Sequence, residues 1–375
     1  MLIWAREEIG LSIEQAAEAV GVSVANLAAA ESGERPLTLN QLRTAAEMYD
    51  CPYGYFYLSE PPHKKSFEPI PDFRAEPDYV GIDHYRLNLE IKRVRNRRET
   101  FLDLADDLEL ETKSFRLLSS SNSVNAGSLV RERLGITDSE ISSLSIGDVY
   151  SYWKGKIEGD GVLVYESQYI PDVTGVIGAA IYYDIYPIIL IKRGGTSNPR
   201  KLFTLLHEYA HLLKGRSAVN DKSSQTVELS DSEDVNLETA CNRLAAEILI
   251  PSEKVNLAEY ADLDPVAKME YLSASFKVTY TTAAVCLKRL SLINNTELLY
   301  LFDLRSKAHA HKKAKSKKSG PVKIPRENLM RLDMGRPLFN AVLSAYGRGI
   351  LDVFDASKIL NLRIKKIDKL IGNVR

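Results

Sequence analysis

The chain has only three cysteines, Cys51, Cys241 and Cys286, far apart and with no CxxC pair. That spacing excludes a disulfide framework and a cysteine-rich metal site. No apolar run approaches the roughly 20 residues of a membrane-spanning helix. The opening MLIWAREEIGLS carries acids where a secretory signal would carry a basic stretch and then an apolar one. A cytoplasmic protein is the expectation. Histidine is also scarce, six in 375 residues, so a regular pairing of two is informative. Neither charge dominates: 49 Lys plus Arg face 50 Asp plus Glu, a net of −1, which argues against a polybasic, histone-like class. At roughly 150 residues per domain, the length predicts two or three domains.

The near-neutral total hides a gradient. Residues 1–60 hold 3 basic and 9 acidic residues, net −6, whereas residues 305–375 hold 18 and 5, net +13. The middle, 61–304, is left at −8. Residues 2–58 read as short helices. Residues 61–77 contain five of the 15 prolines, which block helix and mark a linker. Over 84–108, Leu87, Ile91, Val94, Phe101, Ala105 and Leu108 recur at the spacing of one helical face. The basic run on that helix, Lys92, Arg93, Arg95, Arg97 and Arg98, reads as a solvated flank. GVLVYES, GVIGAAIYY and PIILIKR, within 161–193, are β-branched and aromatic runs between turn residues, hence strands. RSKAHAHKKAKSKKSG, from residue 305, is low-complexity and basic with no aromatic residue, which predicts a flexible linker that includes His309 and His311. Helix returns in the final 50 residues.

The chemistry concentrates in PRKLFTLLHEYAHLLKG. Leu202, Phe203, Leu206, Ala210 and Leu213 make a helical apolar face, and Gly215 suits the C-terminal cap. His207 and His211, four apart, project from one side of this helix. That spacing holds a single Zn²⁺, and Glu208 reaches a water held there, whose pKa zinc lowers towards roughly 7. Tyr209 turns away from the ligand side and reads as packing. A catalytic zinc needs a third protein ligand and one open position. Position 217, where an extended three-histidine pattern would place it, is serine, so a carboxylate is required. Glu228, Asp231, Glu233 and Asp234 lie in the loop 216–236. The next helix, NLETACNRLAAEILIP, with Asn236 as its expected cap, carries Glu238 and, nine residues on, Glu247. Nine residues put them on opposite sides. Only one can face the metal, and spacing does not choose.

LFTLLHEYAHLL and LETACNRLAAEILIP together resemble the ImmA/IrrE family of metallo-endopeptidases, as do the PDFR segment at 71–74 and the strands GVLVY and PIILIKR. The likeness spans roughly residues 60–300. It implies that His207, His211 and Glu238 bind zinc and that Glu208 is the base, with Cys241 standing where the family's ExxAN pattern usually has alanine. It also implies a substrate class, transcriptional repressors.

Residues 11–32 place Ala17, Gly21, Val22, Leu27 and Ala30 at helix-turn-helix spacing, with Gly21 supplying a left-handed turn. With GERPLTLNQLRTAAEMYDCP they resemble the XRE (Cro/CI-like) type, which implies DNA binding. The residues argue otherwise. The would-be recognition helix SVANLAAAES has no Lys or Arg, and a −6 domain repels phosphate, so a protein-docking role competes. The spacing recurs at 268–290 with Lys277 at the turn, read as structural packing. It recurs again at 352–371 with Asn361 at the turn, where Arg363, Lys365, Lys366 and Lys369 make the better electrostatic candidates for DNA.

The expected fold is α+β and mostly helical. A helix-turn-helix domain (1–60) and a Pro-rich linker (61–83) precede a zincin-like peptidase domain with a small β-sheet (84–304), which includes the helix-turn-helix-like segment 265–293. A basic linker (305–322) and a basic helical segment (323–375) follow. The expected function is zinc-dependent cleavage of a protein substrate, a repressor, in regulated proteolysis. The alternative is a DNA-binding regulator whose zinc site senses or braces.

Overall fold

The computed structural model describes residues 1–61, 82–112, 114–118, 125–172, 176–194, 198–220, 233–304 and 326–367. Four short helices open the chain: α1 (Leu2–Glu7), α2 (Ile13–Val20), α3 (Val24–Glu31) and α4 (Leu39–Met48). Ser12 with Gln15, and Thr38 with Gln41, form reciprocal capping boxes on α2 and α4, which fix where those helices begin. Between α2 and α3, Gly21 takes the left-handed conformation at φ 76°, as a helix-turn-helix corner requires. Ala16, Ala17, Leu27 and Ala45 are buried in the angle; small side chains there let the helices approach closely.

Helix α5 (Ile82–Asp107) carries this domain. Leu89 completes the N-terminal core, Lys92 Nζ donates to the Tyr49 carbonyl at 2.9 Å, and Arg93 pairs with Asp50 at 3.4 Å. The basic run on α5 is therefore not a solvated flank. Lys92, Arg95 and Arg98 are all buried. Arg98 stacks its guanidinium 3.8 Å from the Tyr183 ring centroid and donates to the carbonyls of Ile185 and Tyr186. The periodicity correctly marks the apolar face, but the cationic positions beside it are spent on contacts with other elements.

Next come α6 (Ala126–Arg133), α7 (Asp138–Ser143) and α8 (Val149–Gly159), and then β1 (Leu163–Ser167), β2 (Gly178–Ile181) and β3 (Ile188–Lys192). Helix α9 (Asn198–Leu213), β4 (Ala218–Asn220) and α10 (Glu233–Leu249) follow. The sheet order is β1-β3-β2-β4, with β1 parallel to β3 and β2 antiparallel to both its neighbours. Side chains alternate between its faces. Val164, Ala180, Ile189 and Ile191 join the core beneath α8, α9 and α10. Leu163, Tyr165, Ala179 and Leu190 join a second core with α5 and with α14 (Arg326–Gly347) and α15 (Val353–Leu360). Both faces are covered, which is why these strands read as continuous apolar runs.

Helices α11 (Pro265–Phe276) and α12 (Tyr280–Arg289) form the second corner, with Lys277 left-handed at φ 53°, and both pack into the first core. A further helix, α13, spans 295–304. The separate C-terminal segment expected at 323–375 is corrected within the described residues: α14 and α15 supply Met334, Leu338, Phe339, Val342 and Leu360 to the second core. α14 kinks at Gly335 (φ 69°, ψ 155°), and a Cβ there would lie 2.9 Å from the Val164 carbonyl oxygen, so only glycine lets the helix close on β1. The expected linkers at 61–83 and 305–322 lie almost entirely outside the described residues.

One buried ionic cluster ties the layers together. Glu166 on β1, 1% exposed, receives Lys154 Nζ of α8 at 3.2 Å, Lys201 Nζ of α9 at 3.1 Å and the Tyr150 hydroxyl at 3.1 Å. Burial alone would raise the Glu166 pKa; the two ammonium groups outweigh it and bring it below the ordinary value. Glu166→Gln leaves two lysines without their counter-charge, and is expected to lower unfolding free energy by about 3–5 kcal/mol at neutral pH. Because the folded pKa is depressed, this contribution is present above roughly pH 4.3 and is lost as pH falls through the folded value. Urea titrations of both proteins from pH 7 downward should show the gap closing in acid.

Candidate metal centre

Helix α9 is buried along nearly its whole length from Lys201 to Leu213, polar residues included. His207 is 1% exposed, Glu208 0% and His211 0%. The four-residue spacing brings the imidazoles to one side, with ring centroids 4.8 Å apart and Nε2 atoms 3.0 Å apart. Helix α10 packs on α9 and lays Glu238 against both: Oε2 is 3.1 Å from His207 Nε2, and Oε1 is 3.0 Å from His211 Nε2. One donor atom from each of the three residues falls within 4.8 Å of the others.

Glu247 goes elsewhere, to Ser252 Oγ at 2.6 Å and Arg289 Nη1 at 2.7 Å. Its backbone meets α6 at Gly127, where a Cβ would stand 2.3 Å from the Glu247 carbonyl oxygen. Glu238 and Glu247 thus sit on opposite sides of α10, as nine residues of helix require. The helix begins at Glu233, so Asn236 lies inside its first turn and is not the cap. Glu228 and Asp231 lie outside the described residues.

Two neutral imidazole nitrogens facing each other at 3.0 Å offer at most one proton between them. Glu238 Oε2 is buried and makes no hydrogen bond among the described residues. Zinc–nitrogen bonds of about 2.0–2.1 Å set tetrahedral ligands roughly 3.3 Å apart, close to the separations here. Two imidazoles and one carboxylate are also the donor set a borderline-soft divalent ion prefers. The residues fit a zinc ion. Burial would raise the Glu238 carboxyl, but the two imidazoles bring it down to about 2, while burial chiefly lowers His211. Both directions favour the forms that ligate metal, carboxylate and neutral imidazole. Cys241 is buried and its thiol is pushed up, by burial first and the Glu238 charge next, so it stays protonated beside the site.

Two contributors escaped the sequence reading. Asn242, one turn beyond Glu238, places Oδ1 2.9 Å from His207 Nδ1. With that amide oxygen accepting, Nδ1 carries the proton and Nε2 keeps its lone pair for the metal. Gly178 on β2 lies against Glu208: a Cβ there would stand 2.6 Å from Glu208 Oε1 and 2.6 Å from Thr204 Cγ2. Only a residue without a side chain lets the strand pass this close to the carboxylate. Tyr209 is buried on the far side of α9, and its hydroxyl donates to Asp160 Oδ2 at 2.6 Å.

The third corner is partly described. α15 ends on Asn361, left-handed at φ 48°, and a helix resumes at 364–367. Arg363 and Lys365 are exposed and Lys366 is half-buried, all far in sequence from the His207 site, while Lys369 lies outside the described residues.

Residues 167–288 match the family model for the IrrE N-terminal-like domain, a peptidase family, and residues 2–56 match a helix-turn-helix family model. The first match runs from the last residue of β1 nearly to the end of α12 and so contains all three candidate ligands. It is narrower than the likeness read from the sequence over 60–300. No curated protein and no solved structure matches the chain. Among the described residues no helix is long and apolar enough to cross a membrane.

Asn242→Ala is expected to leave the ligand set intact but weaken zinc binding by about 10–100-fold, measured by competition against a chromophoric chelator.

Proposed function

We propose that this chain, which joins a helix-turn-helix domain to an IrrE-type peptidase domain, is a cytoplasmic zinc-dependent endopeptidase acting on a protein substrate, a transcriptional repressor. The observation that carries the reading is the convergence of His207, His211 and Glu238 beside a fully buried Glu208. When bound, zinc supplies Lewis-acid polarisation of the scissile carbonyl and lowers the pKa of water. The chain's own residues do the rest. Glu208 takes the proton of the attacking water and delivers it to the leaving amine. Gly178 sets the position of that carboxylate, and Asn242 fixes the tautomer of His207.

An extended substrate is best accommodated along β4. Of the strands at 161–193, β3 and β2 are internal and β1 lies under α14, whereas β4 is paired on only one side among the described residues. Strand addition there would supply main-chain hydrogen bonds.

A second reading concerns DNA. Arg363 and Lys365 are exposed just past a left-handed Asn361, the arrangement of a helix-turn-helix corner with a basic second helix. On α3 and its cap, the exposed positions include Ala25, Asn26 and Ala28, with no cation among them. If DNA is held by the C-terminal corner, Arg363→Ala with Lys365→Ala should weaken binding similarly on all sequences. The salt slope should fall by about one unit for each phosphate that is no longer neutralised, read by fluorescence anisotropy against salt.

Glu208→Gln should retain zinc while losing cleavage of a candidate repressor by several orders of magnitude, assayed by gel on zinc-replete protein. Unchanged cleavage would remove the mechanism. Zinc retention with no cleavage by the unmodified chain, accompanied by zinc-dependent DNA binding, would favour the regulator with a sensory site. Gly178→Ala should fold and bind zinc but lose roughly 10²-fold in rate, the effect of displacing a catalytic group by about 1 Å.

A further inference from the structure

The side of α9 that bears the ligands opens at two places, one before His207 and one after His211. From Lys201 to Leu213 every residue is buried except Phe203. Phe203 is half-buried, and its ring centroid lies 6.5 Å from that of His207, the two planes tilted by 33°. Phe203, His207 and His211 follow at four-residue spacing and Lys214 comes three residues later, so all four project from one side. The Lys214 N–H keeps a helical bond to the Ala210 carbonyl at 3.2 Å, but its side chain is exposed and forms no ion pair among the described residues. Its charge reaches the ligand side. Burial does most to lower the His211 pKa and the Lys214 ammonium adds to it; at Cys241, where burial raises the thiol, the same ammonium opposes the rise. Opposite them the Glu238 side chain is 11% exposed, against 1% for His207, so the cluster is reached from the α10 side.

The two openings set a length. Eleven residues separate Phe203 from Lys214, roughly 16 Å along a helix, which about five residues of extended chain span. The histidines fall near the middle. A peptide lying along α9 with its scissile bond at the histidines sets one side chain, two or three positions from that bond, against an aromatic ring. On the other side of the bond, at a similar distance, a side chain meets an ammonium group. A half-buried ring gains from being covered by another apolar group. An unpaired ammonium favours a carboxylate and disfavours a second cation.

We propose that Phe203 and Lys214 are specificity determinants of this site, selecting peptide segments with a bulky apolar residue on one side of the scissile bond and an acidic residue on the other. The inference rests on the peptidase reading above and names the class of segment to be cut.

The test uses the full zinc-loaded chain and short fluorescein-labelled peptides that carry one Phe and one Asp about five positions apart, in both orders. Controls replace Phe by Ala or Asp by Lys. Cleavage is followed by mass spectrometry in the unmodified chain, and binding by anisotropy in zinc-loaded Glu208→Gln. One order of the Phe–Asp peptide should be preferred over its Lys counterpart by about threefold to tenfold, a preference that raised salt diminishes. Lys214→Glu, at an exposed position that folding tolerates, should reverse it. Phe203→Ala should cost about tenfold or more on Phe-containing peptides, with zinc affinity and the Asp preference retained. Equal handling of Asp and Lys peptides, or an Asp preference that survives Lys214→Glu, overturns the role of Lys214. A Phe preference that survives Phe203→Ala, or zinc lost from that variant, reduces Phe203 to packing. Absence of both binding and cleavage for every peptide overturns the inference as a whole. Binding with the stated preferences in a chain that cleaves nothing would count against the peptidase reading and leave the recognition by Phe203 and Lys214 standing.

Discussion

Burying two imidazoles and two carboxylates side by side is the constraint from which the rest of this structure follows. His207, Glu208, His211 and Glu238 are each at most 8% exposed, and charge or polarity at that depth is costly unless every group is matched. The neighbours supply part of that match and make room for the rest. α10 brings Glu238 onto both imidazoles, Asn242 takes the outer nitrogen of His207, and β2 thins to glycine beside Glu208. What the protein leaves over is a three-donor cluster with its lone pairs turned inward, and a divalent cation neutralises such a cluster best. The same constraint explains the second buried ionic cluster. Lys201, on the first turn of α9, is anchored to β1 by Glu166, which also holds Lys154 of α8. This ties α9 to β1 and α8 through contacts that involve none of the candidate ligands.

The sheet carries the site because both of its faces are covered. Alternate residues of β1, β2 and β3 enter two different cores, one containing α9 and α10 and the other α5 and α14. A strand buried on both sides has little freedom to slip, since a one-residue shift would exchange the two cores. Gly178 can therefore be placed against Glu208 by register rather than by contacts of its own. The kink at Gly335 does the same for the far layer, letting α14 close on β1.

The sequence disclosed those features whose physics is local. Four-residue spacing put His207 and His211 on one side of α9, β-branched runs located the three longer strands, and helix-turn-helix spacing placed the corners at Gly21, Lys277 and Asn361, all of them left-handed. Nine-residue spacing showed that Glu238 and Glu247 oppose each other, yet which one faces the two histidines depends on how α10 rotates against α9, a tertiary fact. Asn242 and Gly178 were invisible for the same reason. An amide one turn past a ligand and a glycine in a strand mean nothing until their neighbours are known. Asn236 has good capping chemistry, yet α10 begins three residues earlier, at Glu233. The cations of α5 misled most. A run of Lys and Arg is ordinarily solvated, and nothing within the run reveals that aromatic rings and carbonyls from distant segments cover it.

Those buried cations also change what the charge gradient means. The N-terminal domain carries a net −6, which on its own reads as repulsion from DNA. In the folded chain part of that acidity has an internal purpose: Asp50 meets Arg93 of α5, and Glu31 of α3 is held by Arg6 at 2.7 Å. Lys92 of α5 adds a bond to the Tyr49 carbonyl, so the domain is seated on α5 by complementary charge as well as by Leu89. Acidity that serves docking does not have to serve recognition, so the net charge of the domain is poor evidence about what α3 contacts. The composition of the exposed α3 face is better evidence. It presents Val24, Ala25, Asn26 and Ala28, small and uncharged, where phosphate positioning calls for cations or many backbone donors. A face of that kind discriminates by shape rather than by charge. A contact of α3 with duplex DNA would therefore draw little on the counterion release that dominates non-specific affinity.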